Sequence, residues 1–339
     1  VLPSTTTELN ADGTELVSGT AQMLRLWSLP AVSGGGAVAA DGVASSALAI
    51  DRAADLVAVG LSSGQLQLRT AAELAAATVG IDYFGHRGPV TAVALQASQG
   101  VAVTGGSDGI VRIWDVASAA PLGVVLPPAA APIAAVALSS DGRWMADAAG
   151  RFVRVAAIED GTVAQQIQSA ATVTSLAFSP DAGALVSGDS AGALTLTALA
   201  AAHRSWTVQI GAAITAVAFA PNGAQLAVAD AANGLRVLRT TDGMALGPVH
   251  PLPDVARWLD FSRDGDTLLL ASGVWLHALA VTSTKLETLY SRLAPRRLAG
   301  AALAAGQGTQ LRLAGFDERG ALGATALDLA AIPEPDLSL

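Results

Sequence analysis

Large and small side chains alternate along this chain in short runs, and most runs end in a turn. Val173-Thr174-Ser175-Leu176-Ala177-Phe178-Ser179-Pro180-Asp181 is one such run, and Ile214-Thr215-Ala216-Val217-Ala218-Phe219-Ala220-Pro221-Asn222-Gly223 is another. A period of two is the period of a strand, and Pro-Asp or Asn-Gly supplies the reversal. A second recurrent pattern is clearest in Gly105-Gly106-Ser107-Asp108-Gly109-Ile110-Val111-Arg112-Ile113-Trp114-Asp115-Val116. Asp108-Gly109 predicts a tight turn, because glycine takes positive φ freely and Asp bonds its own local backbone. Ile110, Arg112 and Trp114 then alternate with Val111, Ile113 and Asp115, which predicts a strand with both faces covered.

Both patterns repeat along the whole chain. Copies of the first begin near Thr5, Ala44, Val90, Ile133, Val173, Ile214, Ala256 and Arg297. The second aligns at Trp27, Arg69, Trp114, Ala156, Thr197, Leu238, His277 and Thr325, at intervals of 42, 45, 42, 41, 41, 39 and 48 residues. Each of the eight units reads as four antiparallel strands. In the fifth unit these are Val173–Ser179, Leu185–Gly188, Ala193–Leu199 and Ser205–Ile210. The first strand of a unit carries small residues on one face (Ala92 and Ala94, Ala135 and Ala137, Ser175 and Ala177, Ala216 and Ala218). Its other face is large (Val93 and Leu95, Val136 and Leu138, Leu176 and Phe178, Val217 and Phe219). That is the steric requirement of wedges converging on an axis at interior packing density. The seventh unit departs from it, with Trp258 and Asp260 at the small positions, either through local repacking or because they face an opening.

The terminal Trp114-Asp115, the turn Asp108, the Gly85-His86 pair and the repeat interval together resemble the WD40 repeat, whose period is roughly 40–45 residues. The resemblance covers essentially the whole chain, but only the third unit carries all of these features. It implies an all-β fold, a β-propeller of four-stranded antiparallel blades, with eight blades expected and seven as the alternative. It also implies one domain over residues 1–339, expected to be part of a longer multidomain protein. In the family, one blade usually combines strands from both chain ends, so residues 333–339 are expected to act as a closing strand or a linker. The resemblance further implies a buried network in the third blade made of His86, Asp108, Trp114 and either Thr104 or Ser107. Such a network is structural, because its polar groups satisfy one another away from water.

Composition narrows the function classes. The chain is 52% apolar, 4% aromatic and 14% charged, which suits strands buried on both sides and excludes a disordered chain. Prolines and charges interrupt every apolar run before it reaches the length of a membrane span. A net charge of −9 argues against a nucleic-acid or anionic-membrane partner. There is no Cys, which removes thiolate catalysis and thiolate metal sites. His86, His203, His250 and His277 show no ligand spacing, so no metal or cofactor is expected. Glu159-Asp160 and Asp317-Glu318 sit beside glycines in hairpin turns, where solvation accounts for them. Neither a phosphate-binding loop nor a nucleophile elbow is present. No leader is visible at Val1-Leu2-Pro3, so the expected compartment is the cytoplasm.

The candidates for partner binding lie in loops leading into innermost strands. Ser291-Arg292-Leu293-Ala294-Pro295-Arg296-Arg297 precedes the eighth unit, and Arg257 with Trp258 opens the seventh. Arg292, Arg296, Arg297 and Arg257 would form a basic cluster on an acidic protein, and Arg forks grip carboxylates in two-point contacts. The alternative is simple pairing with Asp254, Asp260 or Asp264. The expected function is therefore a non-enzymatic protein–protein interaction, scaffold or sensing module, monomeric and bacterial in type by its Ala/Gly/Val-rich composition. Its partner would be another protein or an effector domain of the same chain. A small-ligand or enzymatic propeller acting at the central channel is the alternative.

Overall fold

The computed structural model describes residues 6–9, 15–20, 23–28, 37–38, 45–50, 56–70, 81–118, 120–122, 126–261, 265–272, 275–282, 286–293, 298–305, 310–317 and 322–328. Their strands form eight antiparallel sheets, each made of strands consecutive in sequence. The innermost strands are Thr6–Leu9, Ser45–Ile50, Val90–Gln96, Ile133–Leu138, Val173–Phe178, Ile214–Phe219, Ala256–Phe261 and Leu298–Ala305. They open blades 1 to 8, each within one residue of the position expected from the alternation. From Thr6–Leu9 to Ala256–Phe261 each innermost strand packs against the next, and Leu298–Ala305 packs back on Thr6–Leu9, so the ring closes. Leu298–Ala305 lies chiefly against the second and third strands of blade 7, Thr267–Ser272 and Trp275–Val281. This is the interface that follows Trp258 and Asp260, which hold the register positions of Ser175 and Ala177.

Elsewhere the wedge principle is visible side chain by side chain. The small face of blade 6, with Ala216, Ala227 and Ala229, meets Leu259, Phe261, Leu268 and Leu270 of blade 7 in one buried cluster. Ala146 and Ala148 of blade 4 likewise meet Val173 and Leu185 of blade 5, with Leu176 and Phe178 packed alongside. Val186 and Leu194 of blade 5 meet Ile214, Leu226 and Val228 of blade 6. A shallow face against a deep one keeps each interface dense while the strands splay outward.

A bulge near the start of the innermost strand recurs in blades 2 and 4 to 8, and blade 3 has its irregularity at Gly105/Gly106. The bulge frees a side chain to reach the neighbouring blade. Thr174 donates to the carbonyl of Ile214 at 2.7 Å, Thr215 to that of Ala256 at 2.6 Å, and Thr91 to that of Ile133 at 2.5 Å. These hydroxyls stitch successive blades near the axis, and their use there takes them away from any ligand chemistry.

One expectation shifts on the register. Trp114 lies opposite Ala102, which pairs with Leu95, the sixth residue of its innermost strand, and the matching positions are Leu279 in blade 7 and Thr325 in blade 8. His277, expected there in blade 7, sits two residues earlier. The reversal in blade 7 is short, with Ser272 paired to Trp275. Blade 3 also departs from four strands, since its sheet has three. Among the described residues its outer edge is covered by a bridge from Trp114 to Pro121, by the amide of Asp115 on the carbonyl of Ala120 and by the amide of Leu122 on the carbonyl of Ile113. Pro121, Pro127, Pro128 and Pro132 crowd this segment, and proline cannot donate to a ladder. Among the described residues no sheet mixes strands from both chain ends, and residues 333–339, expected to close the ring or link onward, lie outside them.

Candidate functional site

In blade 3 a directed chain of hydrogen bonds ties the sheet to the loop before it. His86 meets Asp108 Oδ1 through Nδ1 at 3.1 Å and Thr104 Oγ1 through Nε2 at 2.7 Å. The indole Nε1–H of Trp114 donates to the same Thr104 Oγ1 at 2.9 Å. One tautomer satisfies all three: Nδ1–H donates to the carboxylate, and Nε2 accepts the threonine proton. Asp108 also accepts from the amides of Arg87 and Ile110, at 3.0 and 3.1 Å. Burial raises its pKa, but those two amides and His86 outweigh that and hold the carboxyl below its ordinary value. Burial in turn lowers the pKa of His86 against the pull of Asp108, which favours the neutral ring. Ser107 stays out of the chain, its amide donating to the carbonyl of Pro89. The order Asp–His–Thr resembles a hydrolase triad, yet Thr104 is fully buried and locked by the indole, so nothing can approach it.

The register that places Trp114 also exposes a pattern the sequence reading missed. Two residues before it, on the third strand of blades 1 to 7, stand Arg25, Gln67, Arg112, Arg154, Thr195, Arg236 and His277, all polar, while blade 8 has Gly323 there. Arg154 lies directly across from Asp147 and grips it with Nε and Nη2, while Nη1 donates to the carbonyl of Pro127 at 2.5 Å. Asp147 is completely buried, and burial raises its pKa against the opposing pull of Arg154. Arg236 pairs with Asp230, which closes the second strand of blade 6 and caps the next turn through the amides of Ala232 and Gly234. Asp189 does the same in blade 5, accepting from Ala191, Ala193 and the hydroxyl of Ser169. The signal was available: an Asp inside the alanine-rich strand Trp144–Ala149 needs a partner.

Two more constellations resemble catalytic machinery. Asp181 sits between Ser179, which donates to it at 2.6 Å, and His203, whose Nε2 lies at 2.7 Å. The serine hydroxyl, the histidine and the Gly183 amide outweigh burial and bring the Asp181 pKa down to about 2. A hydrolase needs the imidazole between serine and carboxylate, so this order activates no nucleophile. In blade 7 the buried Ser272 hydroxyl and His277 Nε2 are 3.0 Å apart. Burial, followed by repulsion from His250 on the outer edge of blade 6, lowers the pKa of His277 to about 4. A lowered histidine pKa means the native state resists protonation. The corresponding stability is complete above about 6.5 and is lost as pH falls through about 4. In a series of melting temperatures from pH 7 to pH 4, His277→Gln should fall less steeply than the parent, and parallel curves would contradict the assignment.

A family model described as Nucleolar protein 10-like, N-terminal domain, a β-propeller, matches residues 28–196, from the end of blade 1's third strand into blade 5's third strand. The crystal structure of a computationally designed protein, Ika8, superposes with a TM-score of 0.76 at 17% identity, covering 96% of each chain. No curated protein matches the sequence. The fold is a β-propeller of WD40-like repeats. It comes from these likenesses and the eight sheets together, and the third blade carries in full the hydrogen-bonded knot that the WD40 resemblance implies.

Of the five expected binding residues, the backbones of Arg257, Trp258 and Arg292 lie within the described strands. Arg257 occupies the bulge of blade 7's innermost strand, the register position of Thr91's counterparts Thr174 and Thr215. Trp258 pairs with Ala271, Ala271 with Leu276, and Leu276 with Arg292 on the outermost strand Leu286–Leu293. Trp258 and Arg292 are thus three strand spacings apart, about 14 Å between backbones. The side chains of Arg257, Trp258 and Arg292, and the whole of Arg296 and Arg297, lie outside the described residues. Among the described residues no cluster of three or more His, Cys, Asp or Glu could hold a metal ion.

Proposed function

We propose that this propeller is a non-enzymatic interaction module that holds a protein partner, or an effector domain of the same chain, through the loops of one disc face. The observation that carries the reading is how the reactive side chains are used. Asp108–His86–Thr104, Ser179–Asp181–His203 and Ser272–His277 each close on themselves, and the threonines near the axis are committed to neighbouring carbonyls. Groups spent on holding blades together leave the loops to make contacts, the usual division between rigid scaffold and functional loop. The likeness over residues 28–196 to a propeller domain supports a scaffold role.

The test is capture on the immobilised propeller, compared with an Arg257→Glu/Arg296→Glu/Arg297→Glu variant of equal melting temperature. A partner held by the parent at micromolar affinity and lost at least tenfold by the variant is the expected result. Equal capture by both would move the contact away from these arginines. Capture by neither, together with hydrolysis or turnover of a small substrate, would overturn the reading.

A further inference from the structure

The second strand of blade 3 offers Arg112 no acid, as that of blade 1 offers Arg25 none, whereas Arg154 and Arg236 each have one. Arg154 and Arg236 stand at the same register, and each is neutralised by a buried Asp on the second strand of its own blade. The acid is supplied either directly across, as Asp147 is, or from the strand's last residue, as Asp230 is. In blade 3 both places are taken. Thr104 lies directly across from Arg112 and is committed to His86 and Trp114. The last residue is Gly106, where an added Cβ would collide with His86 Nδ1 and Asp108 Oδ1. The hydrogen-bonded knot therefore fills both places that the acid takes in blades 4 and 6. The consequence is visible at Arg112, whose Nε is buried with no hydrogen-bond partner. The guanidinium stem passes close to Gly85, where a Cβ would meet Arg112 Cδ and Trp114 Cη2 at 2.7 Å. Arg25, at the same register in blade 1, has its side chain outside the described residues.

We infer that Arg112 is a receptor for a carboxylate from outside the chain, an Asp or Glu side chain of a protein partner entering between blades 2 and 3. The inference rests on the reading of the propeller as an interaction module and assigns that reading a point of contact. The fork geometry of a guanidinium matches a carboxylate in two parallel N–H···O bonds, and Arg154 shows how that grip is made in this fold. Arg87, exposed beside His86, adds a second cation at the same edge, while Asp108 has its oxygens occupied by His86 and the amides of Arg87 and Ile110. A negative guest there supplies what Asp147 and Asp230 supply internally.

The probe is a synthetic peptide of eight glutamates flanked by glycine, with an octaglutamine peptide as control. Calorimetric titration of the full chain should show binding of the glutamate peptide only. Arg112→Gln should weaken it about tenfold to a hundredfold, the range for a charged hydrogen-bonded contact, and Arg112→Lys should fall between. In the parent, the Arg112 Nε–H resonance should move and gain protection from solvent exchange as the peptide is added, a readout that needs no variant to fold. Equal affinity in Arg112→Gln at unchanged melting temperature, or an unmoved Nε–H resonance at saturation, would overturn the assignment. If a partner is captured equally by the parent and by Arg112→Gln, the interaction module stands and the Arg112 site falls. A glutamate peptide that does not bind at all also removes the site.

Discussion

Replacing Trp114 with Ala should cost the fold about 3–5 kcal/mol in equilibrium denaturation, the range for removing a buried aromatic from a packed core. The indole is almost fully buried and packs in a cluster with Ala49, Ala58, Leu66 and Leu68 of blade 2 and Leu95 and Ala102 of its own blade. It seals the interface between blades 2 and 3 and donates the hydrogen bond that holds the Thr104 hydroxyl toward His86. The two contributions can be separated. Trp114→Phe keeps most of the apolar contact and removes only the N–H, so it should cost about 1 kcal/mol, near the net worth of one hydrogen bond. A Trp114→Ala protein that denatures like the parent would show that blade 3 does not depend on its knot.

The second large effect is expected in blade 4. Arg154→Met leaves Asp147 buried and uncompensated, a change that costs about 3–5 kcal/mol when a buried pair is broken from one side. Arg154→Met with Asp147→Leu should recover most of that loss, because removing both charges removes both desolvation penalties. Urea denaturation of the two single variants and the double variant forms the cycle, and additive losses would mean the two residues are energetically independent. The pH dependence has a definite sign. A carboxyl whose native pKa is raised favours the fold when protonated and opposes it as pH rises through that pKa. Without Arg154 the upward push of burial on Asp147 acts alone. The deficit of Arg154→Met should therefore shrink on acidification toward pH 4 and grow on return to neutrality.

The architecture was legible because alternation and turn residues repeat at nearly constant spacing. Each innermost strand starts where the pattern of Val90, Ile133, Val173, Ile214 and Ala256 says it should, and the small and large faces meet as the wedge requires. What escaped the pattern did so for one reason. A strand repeats every two residues, so a slip of two keeps every side chain on its proper face. His277 was thus indistinguishable from Leu279 until the cross-strand register was known. The Arg154–Asp147 and Arg236–Asp230 pairs were hidden for a related reason: no spacing in the sequence marks which two residues a hairpin of variable length brings together. His86, Asp108 and Trp114 were readable only because a family pattern names them. The choice of Thr104 over Ser107 is a matter of which side chain points into the sheet interface, and alternation from Trp114's partner Ala102 selects Thr104. The arginines between blades 7 and 8 could be found by charge, but alternation does not say which edge of a sheet each one meets.

The pairing of a shallow face with a deep one has a consequence for fragments of this protein. Blades 4, 5 and 6 each carry one face of each kind, so their contacts run head to tail around the disc and none of them can be inserted backwards. A piece of three or four blades would expose one complementary face at each end. Such a piece has two ways to bury them: joining with other copies until a circle closes, or stacking into an open chain when the rotation per blade does not complete a turn. The intact chain avoids both outcomes because its eighth blade returns to its first.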